Sequence, residues 1–227
     1  MKILRITWLI IILLCFLWSI SLWWSLFNPG KNEFLDETRL SIQTAFIKDS
    51  DDNWFSLEDL HSYLKFLQPW DLLFTASDRY IANVLIPWKR THSAIYLGDN
   101  SILDASSSSD KVLIRDFKHL SNLEKGSLLR SMIVFRPLVS EDTITLFIEN
   151  AKSHIGKPYD FYFDMDDESS FYCSEFIANA LLTIGIQVSY TSERFRKVVI
   201  SPEDMVNYIL EAWIPNWEFE QVLFLEK

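Results

Sequence analysis

Cysteine is nearly absent from this 227-residue chain, which has only Cys15 and Cys173. Cys15 lies inside an apolar N-terminal run, so no disulfide joins the two, and a disulfide framework is excluded. Histidine is scarce too. His61, His119 and His154 have no His or Cys neighbours at metal-ligand spacing, so no metal and no cofactor is expected. Basic residues are outnumbered by acids, 21 to 31. That balance argues against nucleic acid as a partner and against electrostatic adhesion to anionic lipid. No internal repeat occurs, and the only low-complexity tract is Ser106-Ser107-Ser108-Ser109. At this length the chain accommodates one domain plus appendages.

What the chain does have at its start is an uninterrupted apolar segment. From Ile6 to Phe27 no residue is charged, and only Thr7, Ser19, Ser21 and Ser25 are polar. Such a run matches the roughly 20 residues a helix needs to cross the hydrocarbon core. Lys2 and Arg5 precede it, and the positive-inside rule then puts the N-terminus in the cytoplasm and the remainder outside. Trp23 and Trp24 suit an interfacial aromatic belt. A cleaved signal peptide would carry a shorter apolar region and small residues at its end. Here the run closes on bulky residues, and Leu13-Leu14 precede Cys15 where lipoprotein processing requires a small one. The expectation is therefore a single-pass membrane protein. Residues 1–29 form a cytoplasmic stub and transmembrane signal anchor, and residues 30–227 form one domain in the periplasm or another extracytoplasmic space. Without Lys2 and Arg5, that domain holds 19 basic against 31 acidic side chains, a net of −12. Cys173 is then a free thiol in what is expected to be an oxidising compartment, where a purely structural thiol is a liability.

Periodicity and capping signals order the rest of the chain. Helical spacing is read over Glu33–Phe46, and Ser56 caps a helix running to Leu67. Short strands are expected at Pro69–Phe74, His92–Leu97, Ser101–Ala105, Val112–Arg115 and Leu128–Pro137. Their tight turns point to an antiparallel, barrel-like sheet. Helices follow at Glu141–His154, closed by Gly156, at Cys173–Ile184, closed by Gly185, and after the Ser201-Pro202-Glu203-Asp204 start signal. Trp217–Leu225 alternates weakly and reads as a last strand. The class is α+β, a small sheet packed against helices, preceded by one transmembrane helix.

Two segments carry chemistry. His92 opens a strand, and Cys173 stands on the first turn of an apolar helix, where the dipole favours a thiolate and an imidazole can accept the thiol proton. Asp104 lies twelve residues after His92, on the next strand of a hairpin turning at Gly98-Asp99-Asn100. There it can sit side by side with the histidine and orient the ring. The free backbone N–H of Cys173 is the default oxyanion donor. Signals set aside are the acidic run Asp164 to Glu175, whose Ser169 stands where a calcium loop needs Gly, and the Ser106–Ser109 turn. The apolar stretch Tyr80–Trp88 before Lys89-Arg90 reads as core or as a segment dipping into the bilayer.

The order His, Asp, Cys, with its flanking motifs, resembles the circularly permuted branch of the papain-like, NlpC-type superfamily. Trp70-Asp71-Leu72-Leu73 is similar to that branch's Gly-Asp-Ile-Leu, and His92-Ser-Ala-Ile-Tyr-Leu-Gly98 to its His-x-Gly-Ile-Tyr-Leu-Gly. Gly156-Lys-Pro-Tyr-Asp160 and Cys173-Ser174-Glu175-Phe176 resemble its Gly-x-Pro-Tyr-Asp and Cys-Ser-Glu-Leu. The closest resemblance is to the YaeF/YiiX-like amidases, over about residues 57 to 210; lecithin retinol acyltransferase is a distant relative. The resemblance implies a permuted papain-like fold with Cys173 as nucleophile, His92 as base and then acid, and Asp104 as the orienting residue. Tyr159 is implied as a candidate side-chain contributor to the oxyanion site. Trp70 departs from the usual Gly, and Asp104 stands where relatives more often carry Glu or His.

The expected activity is that of a membrane-anchored thiol hydrolase, an amidase or peptidase working through a thioester, on peptide or peptidoglycan-like envelope substrates. The alternatives are a thioesterase, phospholipase or acyltransferase on a lipid acyl substrate, or a catalytically silent ligand-binding module.

Overall fold

Side chains on both faces of the central strands are apolar, so those strands must be covered on both sides. Leu72 and Phe74 point into one cluster and Leu73 into another, and Ile133 and Phe135 alternate in the same way with Met132 and Val134. A computed structural model shows how this requirement is met. It describes residues 19–20, 54–78, 90–121, 128–189, 191–194, 197–211 and 218–226. The chain divides into two units, Met1–Lys48 and Asp49–Lys227. Of the first, only Ser19 and Ile20 are described, both helical and exposed. Nearly all of the apolar run from Ile6 to Phe27 lies outside the described residues, as do the expected helix Glu33–Phe46 and the Tyr80–Trp88 stretch. Among the described residues no helix is long and apolar enough to cross a membrane.

In the second unit, strands β1 (Leu72–Asp78), β2 (His92–Gly98), β3 (Ser101–Ser106), β4 (Lys111–Asp116), β5 (Leu128–Leu138) and β8 (Glu218–Glu226) form one sheet in the order β4-β3-β2-β1-β5-β8. Every neighbouring pair is antiparallel. The tight turns predict a barrel-like closure. Among the described residues the sheet instead stays open, with β4 and β8 as its edges. Both edges carry exposed charges, Lys111 on β4 and Glu220 and Glu226 on β8, which discourage further strand pairing. A hairpin that periodicity does not reveal, β6 (Ser192–Arg194) with β7 (Lys197–Val199), stands apart.

Helices α2 (Glu141–Ser153), α3 (Cys173–Leu182) and α4 (Pro202–Glu211) cover one face. Phe147 and Ala151, then Phe176, Ile177, Ala180 and Leu181, then Met205 and Val206 meet Ile95, Leu103, Ala105 and Phe135. Each such Leu, Ile or Phe contributes about 1.5–3 kcal/mol relative to exposure. The opposite face is covered by α1 (Leu57–Tyr63) with the 3-10 turns Leu64–Phe66 and Phe117–Ser121, through Phe55, Leu60, Leu67, Phe117 and Leu120.

Local capping sets the helix boundaries. Ser56 accepts the Asp59 N–H while Asp59 accepts the Ser56 N–H, and Ser201 and Asp204 do the same at α4. These reciprocal bonds satisfy N–H groups that have no intrahelical partner. Gly156 (φ +92°) and Gly185 (φ +86°) take up the left-handed turns after α2 and α3, as a helix stop requires.

The expected strand at Pro69 begins only at Leu72, because Trp70 sits at φ +71°. That left-handed conformation suits the glycine the resembling family carries there, and it costs a side-chain-bearing residue about 1–2 kcal/mol. The turn is held from below by Asp71, which is fully buried and paired with Arg136 through two bonds of 2.8 and 2.9 Å.

Candidate active site

Register decides which polar side chains meet on the sheet. Ile95 is opposite Leu103 on β3, so carrying the ladder one residue further sets Ala94, not His92, across from Asp104. His92 and Asp104 are thus diagonal neighbours rather than the direct pair expected from the hairpin. Diagonal partners stand roughly 7–8 Å apart at the backbone, a gap that a His and an Asp can close between them. They do: His92 Nε2 lies 2.6 Å from Asp104 Oδ2. Asp104 is fully buried, and the His92 side chain keeps 23% of its surface exposed.

A third strand enters the same row. Arg115 on β4 is opposite Ile102 and so is diagonal to Asp104 from the other side. Its Nε lies 3.0 and 3.1 Å from the two carboxylate oxygens, and its Nη2 also bonds Oδ2. The same Nη2 stands 3.4 Å from His92 Nε2. Sequence reading missed Arg115. Its only signal is strand alternation across the β3–β4 hairpin, which becomes informative once the register is known. Burial acts to raise the Asp104 carboxyl, but the His92 hydrogen bond and the charges of His92 and Arg115 hold it below the usual carboxylate range.

Cys173 comes to this row from the other layer, as the first residue of α3, and it is buried. Burial opposes its ionisation. The hydrogen bond and charge of His92, helped by Ser93, nevertheless bring the thiol below its ordinary value. Burial likewise opposes the imidazolium, and the Asp104 and Cys173 contacts outweigh it and raise His92 to about 9. Both shifts favour a thiolate–imidazolium pair near neutral pH. With Nε2 engaged by Asp104, Nδ1 is the ring nitrogen left to exchange a proton with the thiol. Ser93 is fully buried and is the lesser of the two neighbours that lower the thiol. The Cys173 N–H is at the helix start, where no carbonyl of the same helix can accept it.

Of the sequence-derived candidates, the structure brings Cys173, His92 and Asp104 together. Tyr159 is partly buried against the core cluster that α3 joins, with its ring 4.8 Å from Phe161. Its main chain bridges Phe171, which steadies the segment leading into α3. His154 is half-buried: its Nε2 lies 3.1 Å from Asn179 Oδ1, its ring meets Phe171 edge-on, and its Nδ1 has no hydrogen-bond partner among the described residues. His61 bonds the Leu57 carbonyl. Ser106 and Ser108 bond each other in the turn after β3. Among the described residues, no group of three or more His, Cys, Asp or Glu could hold a metal ion.

Two further charged residues take positions that the sequence reading did not assign. Arg90 is buried and takes both carboxylate oxygens of Glu203 at 2.9 and 3.0 Å, tying the entry of β2 to α4. Glu175 is buried one turn into α3 and accepts the Tyr172 N–H. Burial, then the nearby Asp160, Asp167 and Asp164, raise it to about 8 against the opposing Tyr172 bond. A carboxyl raised from 4.5 binds its proton more tightly in the folded chain, so its contribution to stability is lost as pH rises through about 8. Glu175→Gln keeps the acceptor without the charge. It is expected to gain on the wild type between pH 4.5 and 8, reaching a Tm a few degrees higher at pH 9. Thermal unfolding at pH 5 and pH 9 checks this; a variant no more stable at pH 9 would place the charge elsewhere.

Comparison with known proteins completes the picture. The crystal structure of the metalloprotein yiiX from Escherichia coli O157:H7 is similar, at 19% identity and a TM-score of 0.45, over 70% of this chain and 88% of that one. No curated protein matches the chain. The model of the permuted papain-like amidase enzymes, the YaeF/YiiX or C92 family, matches residues 67–223. That span takes in every strand of the six-stranded sheet, at least in part, and all of the Cys173 site, so the chain belongs to this family of papain-like cysteine amidases and peptidases and is an enzyme of that class.

Proposed function

We propose that Cys173 is the nucleophile, His92 the base and then the acid, and Asp104 the residue that orients His92, in a hydrolase cleaving amide bonds through a thioester. The observation that carries this reading is the buried contact of His92 with both Asp104 and Cys173. The thiolate attacks the acyl carbon, and the tetrahedral oxyanion is met by the Cys173 N–H. The imidazolium gives its proton to the departing amine, leaving a thioester. Water, deprotonated by His92, then attacks the thioester; carboxylate leaves and the thiol re-forms. Tyr159 is a candidate contributor to the oxyanion site from the adjoining segment.

Residues 1–29 act as an uncleaved signal anchor in this proposal, holding residues 30–227 in the periplasm or outside the cell. Support comes from the uncharged run Ile6–Phe27 behind Lys2 and Arg5. Peptide or peptidoglycan-like envelope amides are then the substrates within reach.

Alkylation of the full-length chain by iodoacetamide across pH tests the pair. Cys173 is expected to react with a midpoint below the ~8.5 of a free thiol, and His92→Ala is expected to remove that shift. An unshifted wild-type thiol would overturn the assignment.

A further inference from the structure

We propose that Arg115 is a positioning residue of this site, whose guanidinium shares Asp104 with His92 and so keeps the imidazole able to release its proton. The geometry supports this at each point of contact. Asp104 has no solvent exposure, and its two oxygens are occupied by Arg115 Nε at 3.0 and 3.1 Å and by His92 Nε2 at 2.6 Å. The Arg115 side chain is only 13% exposed, so the fork cannot swing away from the carboxylate. Its Nη2 lies 3.4 Å from Nε2. A protonated His92 therefore sits beside a permanent cation.

An unshared buried aspartate would bind the imidazolium strongly and make it a poor acid toward a leaving amine. A guanidinium across the same carboxylate divides that attraction and sets a like charge against the ring. It also keeps Asp104 ionised despite burial. Lysine could not reproduce this, having a compact, hydrated charge and no planar fork. The groups facing His92 from neighbouring elements are Thr75 on β1, Asp104 on β3, Arg115 on β4 and Cys173 on α3. Two residues before His92, Arg90 is committed to Glu203. Arg115 is thus the one cation placed to oppose the imidazolium among the described residues.

Arg115 bears on catalysis only if His92 is the acid and base proposed above, whereas its effect on the His92 proton is read without substrate. A failure of one is therefore distinguishable from a failure of the other. The test is NMR titration of the imidazole in the full-length chain, with the His92 signal identified by its loss in His92→Ala. Arg115→Gln is expected to raise the His92 midpoint by roughly one pH unit, because Asp104 then serves the imidazolium alone. If Arg115 merely props Asp104 in place, the carboxylate drifts on its removal and the midpoint falls toward 6.5. Arg115→Lys keeps a charge without the fork, guards against loss of folding in the glutamine variant, and is expected to raise the midpoint by less. An unchanged or lowered midpoint in either folded variant overturns the proposal.

Discussion

Cys173→Ala is expected to remove turnover, by at least ~10³-fold, while moving stability by no more than ~1–2 kcal/mol. The rate effect follows from the chemistry: with the sulfur gone no thioester forms, and His92 has no proton to take from the nucleophile. The small stability effect follows from the packing. Cys173 is a small side chain, and the residues that fill the core around it, Phe176, Ile177 and Ala180, belong to the following turns of α3. The His92–Asp104–Arg115 row remains intact without it. One further readout belongs to the same variant. Cys173 contributes to the raised His92 value, so the imidazole midpoint is expected to fall from about 9 in the alanine variant. Hydrolysis of a panel of peptide and amide substrates, thermal unfolding and histidine NMR measure the three effects. An alanine variant that fails to fold would make Cys173 a packing residue, and one that retains turnover would remove it from the mechanism.

Asp104 carries the second large expectation, in activity and stability together. Asp104→Ala leaves the largely buried Arg115 guanidinium without its counter-charge, a loss of about 3–5 kcal/mol by the behaviour of broken buried pairs. Asp104→Asn keeps the shape and removes the charge. Burial then acts on His92 against a weaker opposing bond, and the imidazole falls toward or below its ordinary 6.5. The thiolate–imidazolium pair is lost near neutral pH, and a rate loss of roughly 10²–10⁴ is expected, the range seen where a buried orienting carboxylate is neutralised.

The two shifts also shape stability against pH. Asp104 is lowered in the folded chain, so its contribution is present above 3.8 and is lost only as pH falls through the lower folded value. His92 is raised, so its contribution is complete below 6.5 and is lost as pH rises through about 9. Cys173 is lowered, so its contribution grows as pH rises and offsets the His92 loss while the pair is intact. The His92 contribution is therefore read in Cys173→Ala, which is expected to lose stability as pH rises above 6.5, and to lose less when Asp104→Asn is added. Urea unfolding at pH 6 and pH 9 decides the matter; equal losses in both variants would detach the His92 shift from Asp104.

Much of this site is legible in the order and spacing of the residues. The Ser56 and Ser201 caps, the glycine stops at Gly156 and Gly185, and the strand starting at His92 each depend on residues within a turn or two of one another. Periodicity and capping express that local chemistry directly in the sequence. The same is true of Cys173 on a helix start and of Asp104 on the strand after His92. Sequence by itself therefore determined most of the elements and their order, and singled out three residues able to do chemistry.

Tertiary structure decided what lies between those elements. Whether His92 meets Asp104 directly or on the diagonal depends on which residue of β3 faces Ala94, and no local signal sets that. Arg115 joins the row only because β4 pairs Ile102 with it, and Arg90 finds Glu203 across 113 residues. The sheet stays open, and Glu175 is buried beside three aspartates, for the same reason. Backbone pairing and burial arise from contacts between segments distant in the chain. The energies that choose a register or desolvate a carboxylate belong to the assembled layers, not to any stretch of residues read alone.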